Sequence, residues 1–230
     1  KKEIMARLKN RLEKTFVLTF DKEASLFKQE EKLDVDAMSG ATNSWGKNFS
    51  QGNQYKNVKT NEQIQKQEFY GKQFLVKDNL QPIEWDLHTE TKQIGNYTCF
   101  KATASLPTAE LTWYDFSWDR LSNGTQNETD ESEDVEIKED TVEMTEIEAW
   151  YAPQIPVRHG PSEYWGLPGL ILEVSAGNTT MLCTKIVMNS DENEKIDAPQ
   201  RGKEITKEEY QKTISAKMKE FRDNRVRQRG

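Results

Sequence analysis

The sequence predicts one mainly β domain with an α-helix at each end. Short runs in which apolar and polar residues alternate, separated by Gly, Pro, Asn or Asp, fill most of the chain and are typical of β-strands. At both ends apolar residues instead recur every three or four positions, which indicates amphipathic helices. The length of 230 residues suits a single domain, so we expect one unit spanning 1–230.

The two helices are predicted at 1–14 and 206–228. The first has one apolar stripe, formed by Ile4, Leu8 and Leu12. The second begins at Thr206, where a Thr followed three residues later by Glu209 is a capping box that can satisfy the first backbone N–H groups. Its apolar stripe continues through Tyr210, Ile214, Met218 and Phe221.

The sheet is predicted over 15–118 and 143–189. It opens with a hairpin whose arms are 16–20 and 24–28. Residues 112–118 carry large apolar side chains on both faces, which predicts a strand in the centre of the sheet. The expected strands after the hairpin are 62–69, 72–77, 97–105, 109–118, 145–151, 169–175 and 179–189.

Composition and charge limit the classes of function. The net charge is −7, from 32 Lys and Arg against 39 Asp and Glu, so no basic surface for nucleic acid is expected. No apolar run approaches the roughly 18–20 residues that a membrane-spanning helix needs. Hydrophobic residues make up only 34% of the chain, so the six Trp must supply much of the core.

Acidic residues are concentrated in one stretch of the chain. Eleven of them, with Lys138 as the one base, lie between Glu128 and Glu148. The segment 119–142 is also rich in Asn, Gly and Ser. We interpret it as an acidic, mobile insertion between two strands, because so little apolar surface cannot offset the entropy of ordering.

The cysteine and histidine content gives little support to metal chemistry. Cys99 and Cys183 form no C-x-x-C pair, and His88 and His159 lack the close spacing of zinc ligands. We therefore expect no metal and no cofactor. A hydrolytic site could be drawn around His159 with Cys183, or with Ser162 and an acid, but no local catalytic signature accompanies it.

The segment from Tyr151 to Val174 is the richest in conformationally special residues. It holds four of the seven prolines together with Gly160, Gly166 and Gly169, which predicts a loop of one rigid shape. Two interpretations stay open, a recognition loop and a structural plug over one end of the sheet. We expect Leu167, Leu170 and Leu172 to be buried, and Tyr164 and Trp165 to lie at the rim of a site. The candidate binding residues are Tyr151, His159, Tyr164, Trp165, Gly166, Leu167, Pro168 and Gly169.

The residues at 166–171, Gly-Leu-Pro-Gly-Leu-Ile, resemble the signature of the GLPGLI family of the Bacteroidota cell envelope. Flanking residues are also similar to that family, among them Ala149-Trp150-Tyr151 and the stretch 89–102. The likeness runs from about residue 8 to 215. The β-rich order with flanking helices also resembles the open half-barrels of lipoprotein-carrier domains. By this analogy we expect a single strongly curved antiparallel sheet or half-barrel with an N-terminal and a C-terminal helix.

This resemblance implies a function outside catalysis. Members of the family are generally exported, often beside TonB-dependent transporters, and have no established activity. We expect a mature exported chain in the periplasm or at the outer membrane, acting as a non-catalytic binding or accessory protein. Its partner would be an outer-membrane protein complex or a TonB-dependent transporter, and an apolar ligand is possible. Export also favours a disulfide between Cys99 and Cys183. The alternatives are a hydrolase using His159 and a purely structural subunit of an outer-membrane assembly.

Overall fold

The computed structural model describes residues 13–30, 51–116, 142–189 and 195–227, with side chains described up to 224 in the last range. The predicted N-terminal helix at 1–14 lies outside the described residues except for its last two positions. The acidic insertion at 119–142 likewise lies outside them except for Val142. The predictions for these two segments therefore stay predictions.

The described strands form two separate sheets. The first has six strands in the order β1-β2-β3-β4-β5-β11 and the second has five in the order β10-β9-β8-β7-β6. Neighbours are antiparallel except β11, which runs parallel to β5. The first sheet consists of β1 (Phe16–Phe20), β2 (Ala24–Gln29), β3 (Gln54–Asn57), β4 (Glu62–Phe69), β5 (Lys72–Asn79) and β11 (Lys203–Ile205). The second consists of β6 (Asp86–Ile94), β7 (Tyr97–Pro107), β8 (Met144–Ala152), β9 (Leu170–Ala176) and β10 (Thr179–Leu182).

The prediction of a single strongly curved sheet or half-barrel is wrong. The two sheets form a sandwich-like β fold, and neither is closed or strongly curled. The reason is the path of the chain between β5 and β6. The chain leaves the first sheet at Asn79 and starts a new sheet at Asp86, while β11 occupies the free edge of β5 by pairing Lys203 with Phe74. That edge therefore cannot continue into β6.

The described part of the predicted central strand 109–118, residues 109–116, does not form a strand. Thr108–Leu111 is a short helix, α1, and a turn follows it. The aromatic side chains beyond it fill space between the first sheet and the C-terminal helix α2 (Lys207–Arg227), because Trp113 is buried edge-on against Tyr210. Large apolar side chains on both faces of a segment are thus compatible with a turn that is buried in the protein as well as with a central strand.

The C-terminal helix begins with the reciprocal hydrogen bonds of a capping box. The Glu209 backbone N–H donates to Thr206 Oγ1 at 3.2 Å, and the Thr206 N–H donates to Glu209 Oε2 at 3.1 Å. The apolar stripe of this helix covers the first sheet. It forms a core cluster that comprises Phe69, Phe74, Val76, Trp113, Ile205, Tyr210, Ile214 and Met218.

Candidate functional site

The long connection between β8 and β9, residues 153–169, lies against the first sheet. Its anchor is Lys56 on β3, whose side chain is fully buried. The Lys56 Nζ donates to three carbonyl oxygens of the connection, Gly160 at 2.8 Å, Ser162 at 2.6 Å and Tyr164 at 3.2 Å. An ammonium group has three N–H donors, so this arrangement, called here the Lys56 cage, uses all of them.

Burial changes the proton affinity of the Lys56 amine. Removal from water lowers its pKa from 10.5 to about 7, and the nearby Glu163 carboxylate opposes that shift. The cage carbonyls satisfy the hydrogen bonds of the ammonium, but they carry no full negative charge. The Lys56 amine is therefore close to its own titration at neutral pH.

Glu163 connects the same loop to three other elements. Its carboxylate accepts a hydrogen bond from Gln63 Nε2 on β4 at 2.7 Å and one from Trp113 Nε1 at 3.1 Å. Lys207, at the start of α2, lies 3.8 Å from it and 5.4 Å from the centre of the Trp113 ring. Loop, sheet and C-terminal helix thus meet at one carboxylate whose side chain is 10% exposed.

His159 is enclosed in the same region. Its ring centre lies 6.4 Å from that of Phe20 on β1, and the side chain is fully buried. Within the described part of the chain, neither ring nitrogen has a hydrogen-bond partner. Burial and the Lys56 charge lower the His159 pKa from 6.5 to about 4, with Asp21 opposing. The imidazole is neutral at pH 7, and no described nucleophile or acid is bonded to it.

The other candidate residues of this segment divide into buried and partly exposed groups. Tyr151, Tyr164 and Leu167 belong to one core cluster, so the expectation that Tyr164 lies at a rim is wrong. Gly169 is buried, Trp165 and Gly166 are half-buried, and Pro168 is exposed. Tyr164 lies inward. Its backbone carbonyl accepts a hydrogen bond from Lys56, and its ring packs in the core cluster with Tyr151 and Leu167.

Trp165 links the loop to the segment between the two sheets. Its indole N–H donates to the Gln81 carbonyl oxygen at 2.9 Å, and its own carbonyl accepts from Trp85 Nε1 at 2.9 Å. The Arg158 guanidinium lies over its ring at 5.9 Å. Both polar ends of Trp165 are therefore engaged within the protein.

A small cleft opens beside Trp165. Gln63, Pro82, Glu163 and Lys207 contribute to its walls, and its volume is about 30 Å³. That volume holds about two water molecules. It is far below the roughly 300–1,000 Å³ of pockets that enclose a small-molecule substrate.

Two glycines of the 166–171 sequence are needed for different physical reasons. Gly166 has a φ of +99°, in the left-handed region that side chains disfavour. Gly169 lies so close to the start of the loop that an added Cβ would be 2.5 Å from the Ala152 oxygen. The sequence therefore places glycine both where the chain reverses and where two backbones touch.

We expect Gly169→Ala to lower the free energy of unfolding by about 2–3 kcal/mol, because the new methyl group would overlap backbone atoms of Ala152 and Pro153. Urea denaturation measures the loss. Gly95→Ala is the control, since Gly95 has a φ of +56° with no atom within 4 Å of the added Cβ. It should cost about 1 kcal/mol from backbone strain alone. Equal losses would contradict the close approach at Gly169.

The structure does not contain the predicted disulfide. Cys99 and Cys183 are both free thiols. Cys99 is on β7 and Cys183 directly follows β10, and the order of the sheet places β8 and β9 between those strands. Both cysteines border the same core cluster, and no bond joins their sulfur atoms.

We expect two free thiols when the unreduced protein is denatured and labelled with a maleimide. In the native state Cys183 should react first, because it is half-buried while Cys99 is fully enclosed. Burial raises the pKa of both thiols, so both reactions should be slower than that of an exposed cysteine. Mass spectrometry counts the labels, and a denatured protein without any free thiol would refute the arrangement.

Two negative findings for the described residues concern metal sites and membrane-spanning helices. No cluster of three or more His, Cys, Asp or Glu with metal-binding geometry is present within 13–30, 51–116, 142–189 and 195–227. Over the same ranges, no helix has the length and apolar character to cross a membrane.

The most connected polar residues of this region, Lys56, Gln63 and Glu163, are absent from the candidates that the sequence suggested. Lys56 and Gln63 stand in polar runs that are typical of exposed chain, and Glu163 is the one charged residue between Arg158 and Glu173. A weak signal for Gln63 was available, since Gln63, Gln65 and Gln67 alternate with other residues and are all buried on one face of β4. No signal in the sequence marked Lys56.

Comparisons with known proteins find one family model that matches part of the chain and one similar fold among solved structures. Residues 85–173 match the sequence model of a family described as "Protein of unknown function (Porph_ging)". This family is associated with Bacteroidota, and the matched range contains the 166–171 signature. The match bears a different name from GLPGLI, so that assignment stays a prediction. A search of the curated proteins gives no match.

Among solved structures, the chain is similar to one titled "Structure of PNGF-II in C2 space group". The TM-score is 0.52 and the identity 17%, over 88% of this chain and 30% of that one. A second crystal form of PNGF-II gives a TM-score of 0.47 at 16% identity, over the same shares. The chain thus spans about 30% of the length of PNGF-II, and the likeness concerns the fold alone.

Proposed function

We propose that the protein is a non-catalytic binding or accessory protein of the bacterial cell envelope. The observation that carries this proposal is the way its chemically capable groups are used. Lys56 and His159 are buried between the sheets, and Glu163 bonds to Gln63 and Trp113. The cleft that Glu163 lines admits about two waters. The 153–169 loop therefore acts as a structural clamp that holds the fold together. We place the binding function on the outer surface of the protein.

The envelope location and the kind of partner rest on the resemblance of residues 166–171 to the GLPGLI family. The Porph_ging match points to Bacteroidota, in agreement with the resemblance of residues 166–171. The likeness to 30% of PNGF-II supports the view that this fold can be one part of a larger protein. We infer that the chain works in association, with an outer-membrane complex such as a TonB-dependent transporter as its partner.

The test is co-purification of the tagged protein from the membranes of its own host after mild chemical cross-linking. We expect one or a few outer-membrane proteins in constant ratio to the bait. A panel of chromogenic esters, peptides and glycosides tests the hydrolase alternative. Turnover that disappears in a folded His159→Phe variant would refute the proposal, and so would recovery of the bait as a lone soluble protein.

A further inference from the structure

The four outer edges of the two sheets differ in how well they are protected against pairing with another strand. In the second sheet, β6 has an irregular register between Leu87 and Thr91 and carries Asp86, Glu90 and Lys92. Bulges and charges are the usual protection of an edge. In the first sheet, β11 has only three residues, two of them charged. The other edge, β1, is uncharged, but it packs Leu18 and Phe20 against the second sheet and leaves one large apolar side chain, Val17, exposed.

The remaining edge, β10, is short, but no charge, proline or register irregularity protects it. Its four residues, Thr-Thr-Met-Leu, pair with β9 on one side, and no described strand lies on the other. From Val174 to Asn189 the one charged residue is Lys185, and no proline interrupts the segment. Three large apolar side chains are exposed on or just after the strand: Leu182 at 55%, Val187 at 59% and Met188 at 48%.

The register identifies which backbone groups of β10 face outward. The Cys183 N–H donates inward to the Leu172 oxygen, and Thr179 faces Ala176 across a two-residue turn. Backbone groups of an antiparallel strand alternate between its two sides. Thr180 and Leu182 therefore turn their N–H and C=O groups away from β9, where no described backbone group pairs with them.

We propose that β10 is a docking edge for an extended, apolar segment of a partner protein, which adds to the second sheet as a sixth strand. This inference rests on the proposed binding function and assigns it a surface. The outward groups of Thr180 and Leu182 match an extended backbone, and Leu182, Val187 and Met188 supply apolar contacts beside it. A partner segment without basic residues fits best, since Lys185 is the one charge of the edge.

A second copy of this chain is a poorer occupant. A twofold contact would bring together two chains that each carry a net charge of −7. A different protein avoids that repulsion and can extend its contact along 183–189.

The test is photo-cross-linking in the native host. A benzoylphenylalanine placed at Val187 should cross-link one partner, and the same group at Leu87 on β6 should not. Thr180→Pro removes an outward N–H and keeps the inward pairs, so it should reduce the cross-link about tenfold. Leu182→Lys should reduce it as well, whereas Leu87→Lys should not, although Leu87 is equally exposed at 57%. In the recovered complex, hydrogen exchange at the Thr180 and Leu182 amides should be slower than in the free protein.

The possible outcomes separate this inference from the proposed function. Partner recovery that is unaffected by Thr180→Pro, or cross-links from Leu87 alone, would overturn the docking edge and leave the binding function standing. A cross-link between two copies of this chain would overturn the choice of occupant. No partner from either position, together with no co-purifying protein, would overturn both.

Discussion

Lys56→Met should lower the free energy of unfolding by about 3 kcal/mol at neutral pH. Methionine has a similar length and removes the cost of burying a charge, but it leaves the carbonyls of Gly160, Ser162 and Tyr164 without their donor. Each unsatisfied buried carbonyl costs about 1–3 kcal/mol, and the removed cost of charge burial offsets part of that sum. Chemical denaturation followed by tryptophan fluorescence measures the change.

The matched control is Lys59→Met. Lys59 lies three residues further along the same polar stretch, but on the surface. Lys59 is 67% exposed and pairs with Glu23, so its loss should change stability by less than about 1 kcal/mol.

The pH dependence of stability provides a second readout. Because the Lys56 pKa is about 7 when folded and 10.5 when unfolded, the unfolded chain binds the extra proton between those values. Wild-type stability should therefore gain a contribution from Lys56 as pH rises above 7, and Lys56→Met should lose that gain. Equal effects at Lys56 and Lys59 would contradict the cage.

Sequence reasoning succeeded where alternation, turn residues or caps mark an element locally. The pattern at 62–69 corresponds to β4 at Glu62–Phe69, and the Thr206 capping box lies at the start of α2. It failed for β6, because the first six residues of that edge strand are exposed and carry no alternation of apolar side chains. The division into two sheets depends on β11 pairing with β5 across more than 120 residues, which no local pattern encodes.

The candidate site was predictable only in part, for a related reason. Proline and glycine content marked 153–169 as a rigid segment, since their backbone preferences are properties of single residues. What the segment does depends on Lys56, a residue about 100 positions earlier whose neighbours are polar. A lysine in such a run is normally solvated, so only the three-dimensional contact reveals the clamp.

His159 should make the protein sensitive to acid. Its pKa is about 4 in the folded state and 6.5 when unfolded, so between these values the unfolded chain binds a proton that the folded chain does not. Stability contributed by the neutral imidazole is complete above pH 6.5 and is lost as pH falls toward 4. The loss should be about 3 kcal/mol, from a shift of roughly 2.5 pKa units. Denaturation midpoints measured from pH 7 to pH 4 give the profile.

The variant that isolates this effect is His159→Phe. Phenylalanine keeps a ring beside Phe20 and removes two buried nitrogens that have no partner among the described residues, so stability at pH 7 should be unchanged or slightly raised. Its profile between pH 6.5 and 4 should be flatter than that of the wild type by the amount His159 contributes. His88→Gln is the control, because His88 is exposed and bonds to Thr103 on the surface. It should keep the wild-type slope. A His159→Phe profile as steep as the wild type would place the acid sensitivity in other groups and contradict the buried, neutral imidazole.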